Sequence, residues 1–304
     1  MNNLLWVFVL SLFSIGSPLE AEDVVQSGII ENEEIIEASG LAASTLNDTL
    51  LWILNDSGNA ACLYAVGEDG LDLGKITIGR VNNYDWEDLV AFRWNDTSFL
   101  LIADVGDNNA RREFCRLYFI IEPRMNENGL FDQTVDVYQQ IEFTYETGPR
   151  DCEAVAVDPV QEKIFLLSKN QINSRVFELL LTFSAEQPMI ARQIATASSI
   201  NNVTAMDISS YNLISAVMNY QNIFLFYRQY QESWSDVFQI EPVVIRIPSL
   251  PGAEAACFNK NGTSVYFTSE RVHQPLYRLD ITNAPTDSIP PYPPENVRLI
   301  EESE

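Results

Sequence analysis

Apolar residues along this chain fall in short runs separated by clusters of Asn, Asp, Gly and Ser. That is the punctuation of strands and tight turns, and helical periodicity is weak throughout. Runs at residues 89–92, 99–103, 116–121 and 135–145 make one group of four, divided by the turn clusters Asn95-Asp96-Thr97 and Asp107-Asn108-Asn109. Residues 155–157, 164–167, 176–181 and 190–195 repeat the pattern, as do 206–208, 213–218, 223–228 and 243–247. An earlier group reads 41–42, 51–54, 62–66 and 75–78. A last group has only three runs, 255–258, 265–268 and 276–279.

Each group opens in the same way, with a small or acidic oxygen-bearing residue ahead of a short apolar run. The clearest copies are Asp85-Trp86-Glu87-Asp88-Leu89, Asp151-Cys152-Glu153-Ala154-Val155 and Ala253-Glu254-Ala255-Ala256; Ser39-Gly40-Leu41 and Thr204-Ala205-Met206 are weaker. The heads Ser39, Glu87, Glu153, Thr204 and Glu254 are spaced at roughly 50 to 65 residues, the period of four-stranded propeller blades. The fold expected is all-β, a five-bladed β-propeller. Its short last blade is completed by an N-terminal strand over 24–30, which removes the exposed edge that a ring of sheets would otherwise keep.

Three segments follow. Residues 1–21 carry an apolar run, 4–15, ahead of Gly16-Ser17-Pro18 and Ala21, too short for a membrane span and suited to a signal peptide. Residues 22–281 form the propeller, and 282–304 a Pro-rich acidic tail. The expected mature protein is exported, secreted or periplasmic, monomeric and without a membrane span. Lys and Arg number 18 against 43 Asp and Glu, a net charge of −25. So acidic a surface repels phosphate backbones, and nucleic acid is excluded as a partner. Four cysteines, Cys62, Cys115, Cys152 and Cys257, permit up to two disulfides; none is spaced as a zinc ligand, and a single His273 argues against Cys/His zinc sites and Ser-His-Asp triads.

In a propeller the first strand of every blade lines the central channel, so the five heads converge near one axis. Carboxylates crowded there repel unless protonated, hydrated, paired with bases such as Arg80, Arg111, Arg150 or Lys169, or bridged by a cation. Ca²⁺, which takes six to eight hard oxygen ligands, is the expected occupant. Loops between second and third strands emerge on the same face as the heads. They offer Asp56, Asp104, Asp107, Arg111, Lys169, Tyr220 and Glu270 around a cavity suited to a small anionic or polyhydroxyl ligand. Asp56, Asp85 and Asp151 are the candidate catalytic acids or bases.

The SGL of Ser39 to Leu41, the Asp-Ser-Gly of Asp56 to Gly58, the Asp-Cys-Glu-Ala-Val of Asp151 to Val155 and the order of the heads resemble the calcium-activated nucleotidase (apyrase) family of five-bladed propellers. A nearer resemblance, over about residues 37–281, is to exported bacterial propeller proteins with NDSG, DWED, GDxGDN and DxEA motifs, here Asn55 to Gly58, Asp85 to Asp88, Gly106-Asp107-Asn108 and Asp151 to Ala154. The apyrase resemblance implies calcium surrounded by Ser39, Glu87, Glu153, Thr204 and Glu254, with Asp56 as base for an attacking water. The chain departs from that family at Ser57, at Lys169-Asn170 and at Asp85, where basic residues or a basic, glycine-rich approach are expected. A phosphate site that loses cations binds nucleotides poorly. The functions expected are a calcium-dependent phosphoester hydrolase, nucleotidase-like or phytase-like, or a non-catalytic propeller binding a carbohydrate or protein. A glycosidase using two of Asp56, Asp85, Asp104, Asp107 and Asp151 is a third class.

Overall fold

The structure, a computed structural model, describes residues 24–169, 172–197 and 199–281. The expected signal peptide at 1–21 and tail at 282–304 lie outside the described residues. The strands are β1 (Val24–Ile29), β2 (Ala38–Ala43), β3 (Leu50–Asn55), β4 (Cys62–Gly67), β5 (Asp72–Gly79), β6 (Trp86–Trp94), β7 (Thr97–Asp104), β8 (Cys115–Ile121), β9 (Phe131–Asp136) and β10 (Gln139–Tyr145). They continue with β11 (Cys152–Asp158), β12 (Lys163–Ser168), β13 (Ser174–Leu180), β14 (Met189–Ala197), β15 (Val203–Ile208), β16 (Ile214–Asn219), β17 (Asn222–Tyr227), β18 (Val243–Arg246), β19 (Ala253–Phe258), β20 (Ser264–Ser269) and β21 (Pro275–Asp280). One short helix, α1 (Trp234–Val237), precedes β18.

Consecutive strands pair antiparallel in the orders β2-β3-β4-β5, β6-β7-β8-β10, β11-β12-β13-β14, β15-β16-β17-β18 and β19-β20-β21-β1. The first strands stand side by side in a closed ring, β2 against β6, β6 against β11, β11 against β15, β15 against β19 and β19 against β2. This is the layout of a β-propeller. Five apolar clusters fill the spaces between successive meanders; the one joining β2–β4 to β19–β21 closes the circle. Middle strands are therefore sandwiched on both faces, which is why β3 (LLWILN) and β4 (CLYAVG) are continuous apolar runs buried end to end. Outer strands such as β14 alternate buried and exposed positions, because one face meets water.

β1 pairs antiparallel with β21 and supplies the outer strand of the last meander, as its hydrophobic pattern predicts. The single strand expected over 135–145 is instead two. β9 leaves to pair parallel with β5, adding a fifth strand to the first sheet, while β10 stays with β8. β10 also pairs parallel with β14, which joins two meanders into an eight-stranded sheet. Unpaired outer edges attract such strands, and hydropathy carries no record of which edge lies nearest. All four cysteines are free and buried.

Candidate functional site

Each first strand carries a β-bulge at the same register. Pairing slips between Ala38 and Gly40, Trp86 and Asp88, Cys152 and Ala154, Val203 and Ala205, and Ala253 and Ala255. The skipped residues are Ser39, Glu87, Glu153, Thr204 and Glu254, the five heads. A bulge leaves one residue out of the ladder and re-aims its side chain. All five heads are buried, Glu87 and Glu153 being 4% exposed.

The second strands end opposite these bulges at Asn55, Asp104, Ser168, Asn219 and Ser269. The next residues along the chain are Asp56, Val105, Lys169, Tyr220 and Glu270, a second tier at the same end of the ring. The two tiers touch. Lys169 Nζ lies 3.1 Å from Glu153 Oε2, the Tyr220 hydroxyl donates to Glu254 Oε1 at 2.8 Å, and the carboxyls of Glu254 and Glu270 share a hydrogen bond. The Lys169 ammonium also sits 5.6 Å from the centre of the Tyr220 ring.

The heads divide into two kinds. Ser39 Oγ donates to the Trp86 carbonyl at 3.0 Å, and Thr204 Oγ1 donates to the Ala253 carbonyl at 2.8 Å. Both accept the task of tying one first strand to the next, just before the neighbour's own head. The glutamates have no such anchor. Glu87 forms one group with Asp56 and Asp85, and a second with Asp151 and Glu153; within each group three carboxylate oxygens lie within 4.8 Å of one another. Glu254 is in neither group. The tightest carboxylate contacts join Glu87 to the entries of β6 and β11 and to Asp56, and Glu254 acts on Asp56 from the far side.

Charge in this cluster is poorly compensated. Burial, then Glu153, Asp56 and Asp85, hold the Glu87 carboxyl well above the ordinary carboxylate range. Glu153 is raised to about 7 by burial, against the pull of Lys169. Asp85 is raised to about 6 by burial and by Asp56, with Arg112 opposing. Asp56 is raised by burial, offset in part by the Ser57 N–H, and by Glu254 and Glu37. Glu270 is raised to about 7 by burial, Glu254, Glu37 and Asp56. No Lys or Arg among the described residues bridges to Glu87; its partner is the Glu153 carboxyl.

The loop after β7 is built by Asp107, whose carboxylate accepts the Arg111 and Arg112 backbone N–H groups at 2.9 and 2.8 Å. Its own N–H donates to Asp151 Oδ1 at 2.9 Å. Asp107 is thus a loop organiser that also orients Asp151. The guanidinium that enters the site belongs to Arg112, not Arg111. Arg112 lies 2.8 Å from buried Asp104, donates to the Gly106 carbonyl and stacks 4.8 Å over the exposed Tyr84 ring, while Arg111 is exposed. Asp104 is consequently a counter-ion to Arg112. Sequence spacing could not separate two adjacent arginines; the turn set by Asp107 does. Gly106 is the other residue hydropathy passes over. A Cβ there would stand 2.2 Å from Glu87 Oε1 and 2.6 Å from Asp85 Oδ2, so glycine lets the loop close over these carboxylates without displacing them. Glu37, two positions before Ser39 as Asp85 is before Glu87, was findable by aligning the repeats.

No protein-family model matches the chain, and no curated protein matches it. Among solved structures it is similar to the RRP9 WD40 repeats at 10% identity, over 87% of this chain and 99% of that one, with a TM-score of 0.46. It is similar to a structure of a nidogen/laminin complex at 12% identity, over 84% and 81%, TM-score 0.46. It is also similar to U3-55K at 11% identity, over 86% and 99%, TM-score 0.45. Among the described residues no helix is long and apolar enough to cross a membrane.

Oxygen donors in this number, with no nitrogen or sulfur among them, suit a hard divalent cation. Either Asp56, Asp85 and Glu87 or Glu87, Asp151 and Glu153 would hold one, with Glu87 common to both groups. Buried like charges without a counter-cation are the condition a bound cation relieves.

Proposed function

We propose that this protein is a calcium-binding, five-bladed β-propeller that captures an anionic or polyhydroxyl ligand on the face carrying the heads, in an extracytoplasmic setting. The blade count rests on the five equivalent bulges and the five apolar clusters. The observation that carries the function is the pair of carboxylate triads sharing buried Glu87. Calcium, when bound there, supplies positive charge at an otherwise anionic mouth and open coordination positions for ligand oxygens. Lys169 and Arg112 are held by Glu153 and Asp104. They act as fixed parts of the wall rather than as free phosphate clamps. Tyr84, 66% exposed and backed by Arg112, offers an aromatic face beside the mouth for a sugar or other flat ligand.

Metal-dependent phosphoester hydrolysis is a second reading, favoured by Asp85. Its carboxyl is a member of the first triad, raised to about 6 by burial and by Asp56, in the range where a general base for water works at neutral pH. Asp56 and Asp151 flank it as its acidic neighbours.

The test is a calorimetric calcium titration of the 22–304 chain, with thermal unfolding and turnover of nucleoside diphosphates and p-nitrophenyl phosphate followed in parallel. Saturable calcium binding that raises the unfolding temperature supports the calcium site. Turnover that requires calcium and disappears in Asp85→Asn selects the hydrolase, and stabilisation without turnover selects ligand capture. No calcium response sinks both.

A further inference from the structure

The five first strands have a second end, and the channel opens there into a cavity of about 340 Å³. Its wall comes from the closing residues of all five strands, among them Ala43 of β2, Phe92 of β6, Val157 of β11, Ile208 of β15 and Phe258 of β19. It therefore lies on the ring axis, opposite the carboxylate cluster, and within the size range of small-molecule sites.

Among the described residues, one carboxylate lines it. Asp207 is half-buried, its Oδ1 accepting the Ile208 N–H and its Oδ2 the Phe258 N–H, both at 2.8 Å. Deeper in the channel, fully buried Asp88 accepts the N–H groups of Leu89, Val155 and Met206 at 2.8, 2.7 and 3.3 Å. Asp88 and Asp207 repel each other, and among the described residues neither has a Lys or Arg acting on it. The cations that border the cavity are engaged elsewhere: Lys260 lies 2.6 Å from Asp48, and Arg93 lies 3.3 Å from Asp96. Two acidic groups thus face the axis without a counter-ion, and one of them meets solvent through a cavity.

A divalent metal is a poor match to this lining. A single carboxylate, already accepting two N–H bonds, is joined only by neutral hydroxyl and amide groups and by the cations Arg93 and Lys260, too little negative charge for a divalent ion. An organic ammonium ion fits better. It needs one anionic partner, tolerates hydroxyl neighbours such as Ser209 and Ser210, and carries an apolar body that the aliphatic part of the wall, Ala43, Ala91, Val157, Pro159 and Ile208, can cover.

We infer that this cavity is a second ligand site, which binds a compact organic amine as its ammonium ion, the charge at Asp207 and the apolar body against the aliphatic lining of Ala43, Ala91, Val157 and Ile208. The site is independent of the carboxylate cluster at the other end of the channel.

The test uses the 22–304 chain in saturating calcium, titrated by calorimetry with phenethylammonium and, separately, with the neutral isostere 2-phenylethanol. The ammonium should bind with 1:1 stoichiometry and the alcohol at least about tenfold more weakly, a gap of about 1.4 kcal/mol. Asp207→Asn should shrink that gap to within about twofold. Ser210→Trp, at an exposed rim position where folding is not at stake, should abolish binding of both probes. Equal affinity for the two probes, ammonium binding unaffected by Ser210→Trp, or no ammonium binding at all overturns the site.

Discussion

At the scale of single residues, carboxylates do opposite work at adjacent positions of one strand. Glu87 and Asp88 are neighbours in β6, yet Asp88 is a staple and Glu87 a liability. Asp88 satisfies three backbone N–H groups from three first strands. Asp88→Ala leaves them unpaired in the channel, and at about 1–3 kcal/mol for each buried unsatisfied group the loss should reach roughly 3 kcal/mol or more by urea denaturation. Glu87 meets other carboxylates instead. Glu87→Gln should therefore raise the unfolding temperature of the calcium-free protein at pH 8, where repulsion is greatest, and cut calcium affinity by at least about tenfold. Calorimetry with paired melting curves checks both; a variant that is destabilised without calcium would show that Glu87 is an anchor after all. Gly106→Ala brings a methyl group onto the same carboxylates. It should weaken calcium binding while leaving the fold, read by circular dichroism, unchanged. The residue types of this site were legible in the repeats. That Arg112 and not Arg111 turns inward was not, because adjacent residues share every sequence signal and only the Asp107-capped turn distinguishes them.

At the scale of elements, each strand's apolar run announced the strand, and its partner was settled by nearness. The bulges illustrate the difference. Head residues recur in sequence, but an apolar run does not state where the ladder will skip a residue. Gly40 helps to set the skip in β2, since a Cβ there would press to 2.7 Å on the Leu89 backbone nitrogen of β6. The two parts of 131–145 are likewise a matter of neighbours: β9 had a free edge on β5, and β10 had β8. Helix α1 is too short to be seen by periodicity and is held by tertiary contacts. Its Trp234 indole and Arg228 both donate to buried Asp158 at 3.0 Å. Trp234→Phe keeps the ring and removes one hydrogen bond to a charged group. The expected cost is about 1.5–3 kcal/mol, measured by denaturant midpoint, with calcium affinity unchanged because α1 is not part of the carboxylate cluster.

For the whole molecule, the acidic groups make stability depend on pH in an unusual direction. Asp85, Glu153, Glu270 and Asp207 have folded-state values raised to about 6, 7, 7 and 7. In the unfolded chain such groups titrate near 4. Between about pH 4 and 7 the folded state therefore holds more protons than the unfolded one, so stability must fall as pH rises through that window. In EDTA the unfolding temperature should decline from pH 5 to pH 7.5, and calcium should flatten the curve by replacing the protons; a melt that rises with pH in EDTA contradicts the charge assignment. Much of this architecture was determined by the sequence alone. The period of the heads, the four-run groups, the short last group and the strand that completes it all follow from local hydrophobicity, since burial on both faces of a sheet demands apolar runs of strand length. What only the tertiary structure decided concerns meetings between distant segments. Closure of the ring brought Glu87 to Asp56 on one side and to Asp151 and Glu153 on the other, left Glu254 to Tyr220 and Glu270, and set Asp88 against three strands at once. Repulsion and hydrogen bonding act over a few ångströms in space, and linear spacing does not contain those distances.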